Sequence, residues 1–216
     1  MQPTIVHVCR HGQVENPDHV LYGRLDGFGL SELGRRMAER LADHFADTPL
    51  ARLATSPLQR ARETLAPIAA RHPDLEVTVE ERLLEAENVF EGRSFGRYSQ
   101  KLLNPAHWWH LRNPFKPSWG EPYPALAARV RAALDELAAS VPAGGQALAV
   151  SHQLPIYVAR LVAEGRGFVH NPAGRECRQA SVTSFHYVEG RVVQVAYSEP
   201  CADLYPPKSR IFRPGM

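Results

Sequence analysis

Two periodicities alternate along this chain, and their alternation limits the folds open to it more than any other feature does. "TIVHVC" (4–9) is a short, β-branched run with strand character. Leu30, Leu33, Met37, Leu41 and Phe45 then recur at spacings of three and four, one face of an amphipathic helix. "ARLATS" (51–56) predicts a second strand, and Ser56-Pro57-Leu58-Gln59 predicts a helix opening with an N-cap serine, a first-turn proline and a capping-box glutamine. Leu58, Ala61, Leu65 and Ile68 would form the buried face of that helix. "LEVTVEERL" (75–83) is a third strand candidate. Leu126, Val130, Leu134, Leu137 and Val141 mark a long helix ended by Gly144-Gly145. "QALAVSH" (146–152) predicts a fourth strand, followed by a helix around Ile156 to Val162. The stretch "ASVTSFHYVEGRVVQVAY" (180–197) predicts two strands joined at Glu189-Gly190.

Such an order implies an α/β fold: a three-layer α/β/α sandwich with a mostly parallel central sheet and a C-terminal antiparallel hairpin. At 216 residues and 44% hydrophobic content the chain can build one sizeable core, so residues 1–216 are expected to form one domain. Residues at about 93–124 break the alternation, combining five prolines with all three tryptophans, and predict an insertion that covers a site as a lid. An irregular tail is expected from about residue 200.

In open α/β sheets ligands bind beyond the carboxyl ends of the strands. The residues at those positions are alike in kind: Arg10, His11 and Gly12 after the first strand, Arg60 at the start of the second helix, Glu85 after the third strand, and His152 after the fourth. Arginine offers a planar fork of donors that matches phosphate, and a helix N-terminus adds free amides. Glycine at position 12 would let the backbone approach a phosphate oxygen. His11, with a solution pKa near about 6.5, can act as a nucleophile at neutral pH. A phosphohistidine intermediate would result, its charge held by Arg10, Arg60 and His152 without a divalent metal. One carboxyl group must protonate the leaving alkoxide and then activate water. Glu85, Glu87 and Glu91 are all within reach of that role by position; Glu85 is nearest the strand end and is preferred over Glu87.

Taken together, "CRHG", "SPLQRARET", the glutamate in "LLEAENVFEG" and "VSHQLP" resemble, in order and approximate spacing, the histidine phosphatase superfamily, the phosphoglycerate-mutase-like group. The resemblance runs from Val6 to about Ser184. It implies His11 as the phosphorylated nucleophile, Arg10, Arg60 and His152 as the phosphate pocket, and Glu85 as proton donor. Asn16 resembles the pocket asparagine that follows the RHG signature, one residue earlier than in the mutases. Gly12, Asn16 and Gln153 are therefore candidate substrate contacts. "SWGEPYPALAARVRAAL" is similar to the family's GES-type loop and following helix, with Pro122 in place of a common serine, which leaves the role of Glu121 open. Gln153 stands where glycine is frequent. The segment after Glu85 is shorter than in the mutases, which favours a phosphatase over a mutase.

Other features carry less. Net charge is +2 with basic residues spread along the chain, and no apolar run approaches the ~18 residues of a membrane span, so neither nucleic acid nor membrane is an expected partner. Cys9, Cys177 and Cys201 are odd in number and lack a CxxC pair; with no secretion signal, this points to the cytoplasm. Arg62 reads as a solvated residue and His7 as a satisfied histidine of the core or edge. His107 and His110 in "HWWH" have helical spacing for a metal, but no further ligands stand nearby, so no metal or other cofactor is expected. The sequence thus points to hydrolysis of a small phosphomonoester. A phosphoglycerate-type mutase and a catalytically idle phosphate-binding module are the alternatives. Oligomeric state is left open, a homodimer included.

Overall fold

The N-terminal apolar run forms β1 (Thr4–Arg10), and everything else is assembled on it in a computed structural model that describes residues 2–93 and 120–205. Helix α1 (Glu32–Phe45) follows, its N-cap Ser31 accepting from the amide of Gly34 at 3.0 Å, then β2 (Leu50–Thr55) and α2 (Gln59–Arg71). Next come β3 (Val77–Val79), α3 (Tyr123–Ala139), β4 (Gln146–Ser151), α4 (Gln153–Ala163), β5 (Val182–Val188) and β6 (Arg191–Ser198). The six strands form one sheet in the order β3-β2-β4-β1-β5-β6. β3, β2, β4 and β1 run parallel, and the β5-β6 hairpin is added antiparallel to β1. Glu189 and Gly190 turn the hairpin with φ of 50° and 73°, the pair of positive angles a two-residue loop of matching twist requires.

The three layers follow from strand periodicity. Successive side chains of β1 and β4 point to opposite faces. Val6, Val8 and Ala149 pack with Leu126, Val130 and Leu134 of α3 and Ile156 and Val158 of α4. Cys9, Leu148 and Val150 pack with Met37 and Leu41 of α1 and Leu65 and Ile68 of α2 on the other face. His7 is a satisfied histidine, its ring nitrogens 2.8 Å from Ser184 Oγ and 2.8 Å from Gln146 Oε1.

Three boundaries differ from the sequence expectation. Helix α2 begins at Gln59 with Leu58 as N-cap and no side-chain cap; Ser56 stands before the cap position, its Oγ accepting from the Leu58 amide at a long 3.5 Å and lying 2.7 Å from His152 Nε2. Gln59 bonds forward to Glu63 rather than back to a capping serine. The third strand is only three residues long, since the Glu80 carboxylate accepts from the Arg82 amide and turns the chain into a 3-10 helix at Glu81–Leu83. Helix α3 stops at Ser140, two residues before Pro142, and Gly144 (φ 77°) serves the turn into β4 instead of ending the helix. Most of the expected insertion, with His107, His110 and the three tryptophans, lies outside the described residues, as does the tail beyond Tyr205.

Candidate active site

Because β1, β2 and β4 are parallel and in register, their carboxyl ends deliver His11, Ser56 and His152 to one rim. The amide of His11 donates to the Ser151 carbonyl at 3.1 Å and that of Ser56 to the Val150 carbonyl at 2.9 Å. The two imidazoles stand 5.2 Å apart between ring centroids, both fully buried. Nδ1 of His11 lies 2.8 Å from the Gly12 carbonyl, which can only accept, so that nitrogen carries the proton. Burial first, then the charges of Arg60 and Arg10, holds His11 well below the ordinary imidazole range. His11 is therefore a neutral imidazole with its lone pair on Nε2. His152 is depressed for the same leading reason, burial, followed by Arg60, His11 and Arg10, and its Nε2 lies 2.7 Å from Ser56 Oγ.

Arg10 and Arg60 are buried beside these rings. Arg10 Nη1 donates to the Cys177 carbonyl at 2.8 Å, and Arg60 Nη2 to the Gly23 carbonyl at 2.6 Å. Arg60 occupies the first turn of α2, as expected from sequence, and lies 4.6 Å over the ring of Tyr22, which meets His11 edge-on at 6.4 Å. Six buried side-chain polar atoms among the described residues have no hydrogen-bond partner, and three of them are Arg10 Nε, Arg60 Nε and His152 Nδ1. Such a concentration of unsatisfied buried groups around one imidazole calls for an anion.

Glu85 follows the 3-10 helix and is half-buried, with Oε1 accepting from the amide of Ala86 at 2.8 Å. Burial pushes its carboxyl above the usual range against the opposing pull of that amide, Arg60, Arg10 and Arg175. Glu87 is exposed and paired with Arg24 at 2.8 Å, whereas Glu85 lies in the field of both Arg60 and Arg10; Glu91, whose Oε1 is buried without a hydrogen-bond partner, also acts on Arg60. The Glu85 carbonyl is held by Arg24 Nε at 2.7 Å and Arg129 Nη2 at 3.3 Å. Glu121 accepts from both arginines, from Arg129 Nε and Nη2 at 2.7 Å each and from Arg24 Nη2 at 3.3 Å.

Among the expected substrate contacts, the structure assigns other work to two. The Gly12 amide donates to Thr64 Oγ1 at 3.0 Å, and a Cβ on Gly12 would lie 2.6 Å from the Gly34 carbonyl oxygen, so the missing side chain makes room for α1. Asn16 closes its own loop, donating to the Val20 carbonyl at 2.9 Å and accepting from the Val20 amide at 3.0 Å. Gln153, the first residue of α4, reaches the Cys177 carbonyl at 3.4 Å. Arg62 is exposed, and the Cys9 thiol is buried and pushed far above its normal value, so it is an inert packing residue. Sequence reasoning missed Tyr22, Ser56, Thr64 and Arg175. Only Ser56 had a usable signal, its place directly after a strand. Among the described residues no group of three or more His, Cys, Asp or Glu side chains is placed to share a metal, and no helix is long and apolar enough to cross a membrane.

A doubly covered α/β sheet whose parallel strand ends gather a neutral histidine among buried arginines defines the class: an α/β protein with a buried histidine-arginine cluster at the carboxyl ends of its strands. The chain belongs to the histidine phosphatase superfamily (branch 1), whose profile matches residues 6–200. It is 50% identical over 201 residues to the uncharacterized protein Rv0525 of Mycobacterium tuberculosis, covering 93% of this chain and 98% of that one. Among solved structures it is similar to mycobacterial hydrolase 1, at 25% identity and a TM-score of 0.74 over 92% of this chain and 98% of that chain. It also shares the fold of mycobacterial glucosyl-3-phosphoglycerate phosphatase Rv2419c, at 24% identity and a TM-score of 0.72 over 91% and 97% of the two chains.

Proposed function

We propose that this protein is a phosphatase that hydrolyses a small phosphomonoester through a phosphohistidine at His11, with no metal ion in the reaction. The observation that carries this reading is the His11 imidazole: neutral, protonated on Nδ1 by its bond to Gly12, and so presenting the Nε2 lone pair beside the unpartnered Nε donors of Arg10 and Arg60 and the unpartnered Nδ1 of His152.

In the first half-reaction Nε2 of His11 forms a bond to phosphorus while the bond to the alcohol oxygen breaks. The raised pKa of Glu85 keeps a larger fraction of it protonated, and it gives that proton to the departing oxygen. Arg10 and Arg60 stabilise the charge on the equatorial oxygens. Burial first, and then the arginine charges, depress His152; a bound dianion offsets the arginine charges and so favours a protonated, donating imidazole when the substrate arrives. In the second half-reaction the Glu85 carboxylate takes a proton from water, whose oxygen attacks phosphorus as the P–N bond breaks, releasing inorganic phosphate and neutral His11. The unbridged, buried thiols of Cys9, Cys177 and Cys201 accord with a cytoplasmic setting.

Acid-labile labelling with a radioactive phosphomonoester tests the reading. Wild type is expected to form a phosphoenzyme that decays to inorganic phosphate, and His11→Ala to form none and to lose turnover. Full activity in His11→Ala would overturn the mechanism. A long-lived phosphoenzyme that transfers its group to a second hydroxyl would indicate a mutase, and tight binding without turnover an idle module.

A further inference from the structure

Outside the recognised motifs, the loop after α4 carries an unusual arginine. Arg175 Nε donates to His170 Nε2 at 2.8 Å, and His170 Nδ1 lies 2.6 Å from the Phe168 carbonyl. A carbonyl can only accept and a guanidinium can only donate, so His170 is neutral, with its proton on Nδ1. Its ring is packed 4.8 Å from Tyr157 of α4 and 6.0 Å from Tyr123, the first residue of α3. This aromatic seat fixes the direction of the arginine. The Arg175 carbonyl accepts from the Cys177 amide at 3.0 Å, and the Cys177 carbonyl in turn receives Arg10 Nη1. The turn is thus anchored on the proposed phosphate arginine. Glu85, Arg10 and the phenols of Tyr123 and Tyr157 act on the Arg175 charge.

Arg175 is half-buried, yet among the described residues it makes no ion pair, and only its Nε is hydrogen-bonded. By contrast Arg24, Arg82, Arg129 and Arg160 each have a carboxylate partner. Like Arg10 and Arg60, assigned above to the phosphate, Arg175 has no carboxylate in an ion pair with it among the described residues, though those two are more deeply buried. A partly desolvated guanidinium with no bonded carboxylate keeps two Nη nitrogens that form a fork suited to a carboxylate or a phosphate.

We propose that Arg175, braced by His170, forms a second anion subsite on the Glu85 side of the pocket, and that the preferred substrates are phosphomonoesters whose alcohol portion bears another anionic group. The inference rests on the reading of Glu85 as the donor to the leaving oxygen, since that is what places Arg175 on the leaving-group side. A preference for a second anion then becomes a property of this chain's own loop.

Two matched pairs test it. O-phospho-L-serine differs from O-phosphoethanolamine by a carboxylate, and 1,3-propanediol bisphosphate differs from 3-hydroxypropyl phosphate by a second phosphate. Wild type is expected to favour the more anionic member of at least one pair by about tenfold or more in kcat/KM, the scale of one charge-assisted hydrogen bond. The responding pair identifies the anion. Arg175→Gln is expected to bring that ratio close to one through a rise in KM of the anionic member, and Arg175→Lys to retain part of it. Absence of preference in both pairs would overturn the subsite, as would a ratio that Arg175→Gln leaves intact. The wild-type comparison decides even if the variant fails to fold. Phosphoenzyme formed from p-nitrophenyl phosphate, measured in parallel, separates the two readings: labelling without preference sinks the subsite alone, and loss of labelling sinks the His11 mechanism.

Discussion

Replacing Gly12 by alanine separates two explanations of the glycine beside the nucleophile. The new Cβ would lie 2.6 Å from the Gly34 carbonyl oxygen and 3.2 Å from both its carbonyl carbon and its Cα, all backbone atoms of α1 that cannot rotate away. To reach ordinary contact, helix and strand end must separate by roughly half an ångström or more, at a cost of about 1–3 kcal/mol for an overpacked site. At about 2–4 °C per kcal/mol for a chain of this size, Tm should fall by roughly 2–12 °C. The Gly12 carbonyl also fixes Nδ1 of His11, so the same displacement moves the nucleophile, and kcat should fall by as much as about a hundredfold. Gly167, where a Cβ would meet nothing within 4 Å, is the control; Gly167→Ala should stay within about 0.5 kcal/mol of wild type. Thermal unfolding by circular dichroism and steady-state turnover of p-nitrophenyl phosphate are the measurements. A Gly12→Ala protein with wild-type Tm and kcat but raised KM would refute the packing account and restore the view that the glycine makes room for phosphate.

Two further outcomes follow from the site. His11 and His152 both have imidazoles depressed below 6.5, so the unfolded chain binds protons before the folded one does: stability is full above 6.5 and is lost as pH falls from there toward the folded values. Tm should therefore drop as pH is lowered below about 6.5, and saturating inorganic phosphate should weaken that dependence by raising both folded pKa values; a profile unaltered by phosphate would contradict the anion site. Glu121→Gln removes the charge shared by Arg24 and Arg129, whose donors hold the Glu85 carbonyl, and is expected to cost about 1–3 kcal/mol in urea unfolding together with a lowered kcat. Unchanged unfolding would show that the pairs contribute nothing.

The order of strands and helices was legible because each element buries one face, and burial writes its period into the sequence. The boundaries were less so. Ser56-Pro57 has the residue types of a helix opening, but the helix starts later, at Gln59, and the serine hydroxyl, besides a long bond from the Leu58 amide, meets His152, distant in sequence. The short third strand is cut by Glu80, whose carboxylate caps a turn that no periodicity announces. In the site, the motif residues Arg10, His11, Arg60, Glu85 and His152 could be chosen from their places after strands. Tyr22 could not, since nothing in "LYGRLD" says that its ring will lie under Arg60.

What the sequence determined by itself is therefore the alternating α/β plan, the hairpin at the end of the sheet and the residue types at the strand ends, because those depend on local period and on chain order. What only the tertiary structure decided is the state and the work of each group. Neutral His11 owes its state to burial and then to two arginines nearby, and its tautomer to a carbonyl on Nδ1; Gly12 answers to a helix more than twenty residues later; Arg175 owes its setting to His170, Tyr157 and Tyr123. Each of these is fixed by desolvation and by partners far away in sequence, and proximity of that kind comes into being only when the chain has folded.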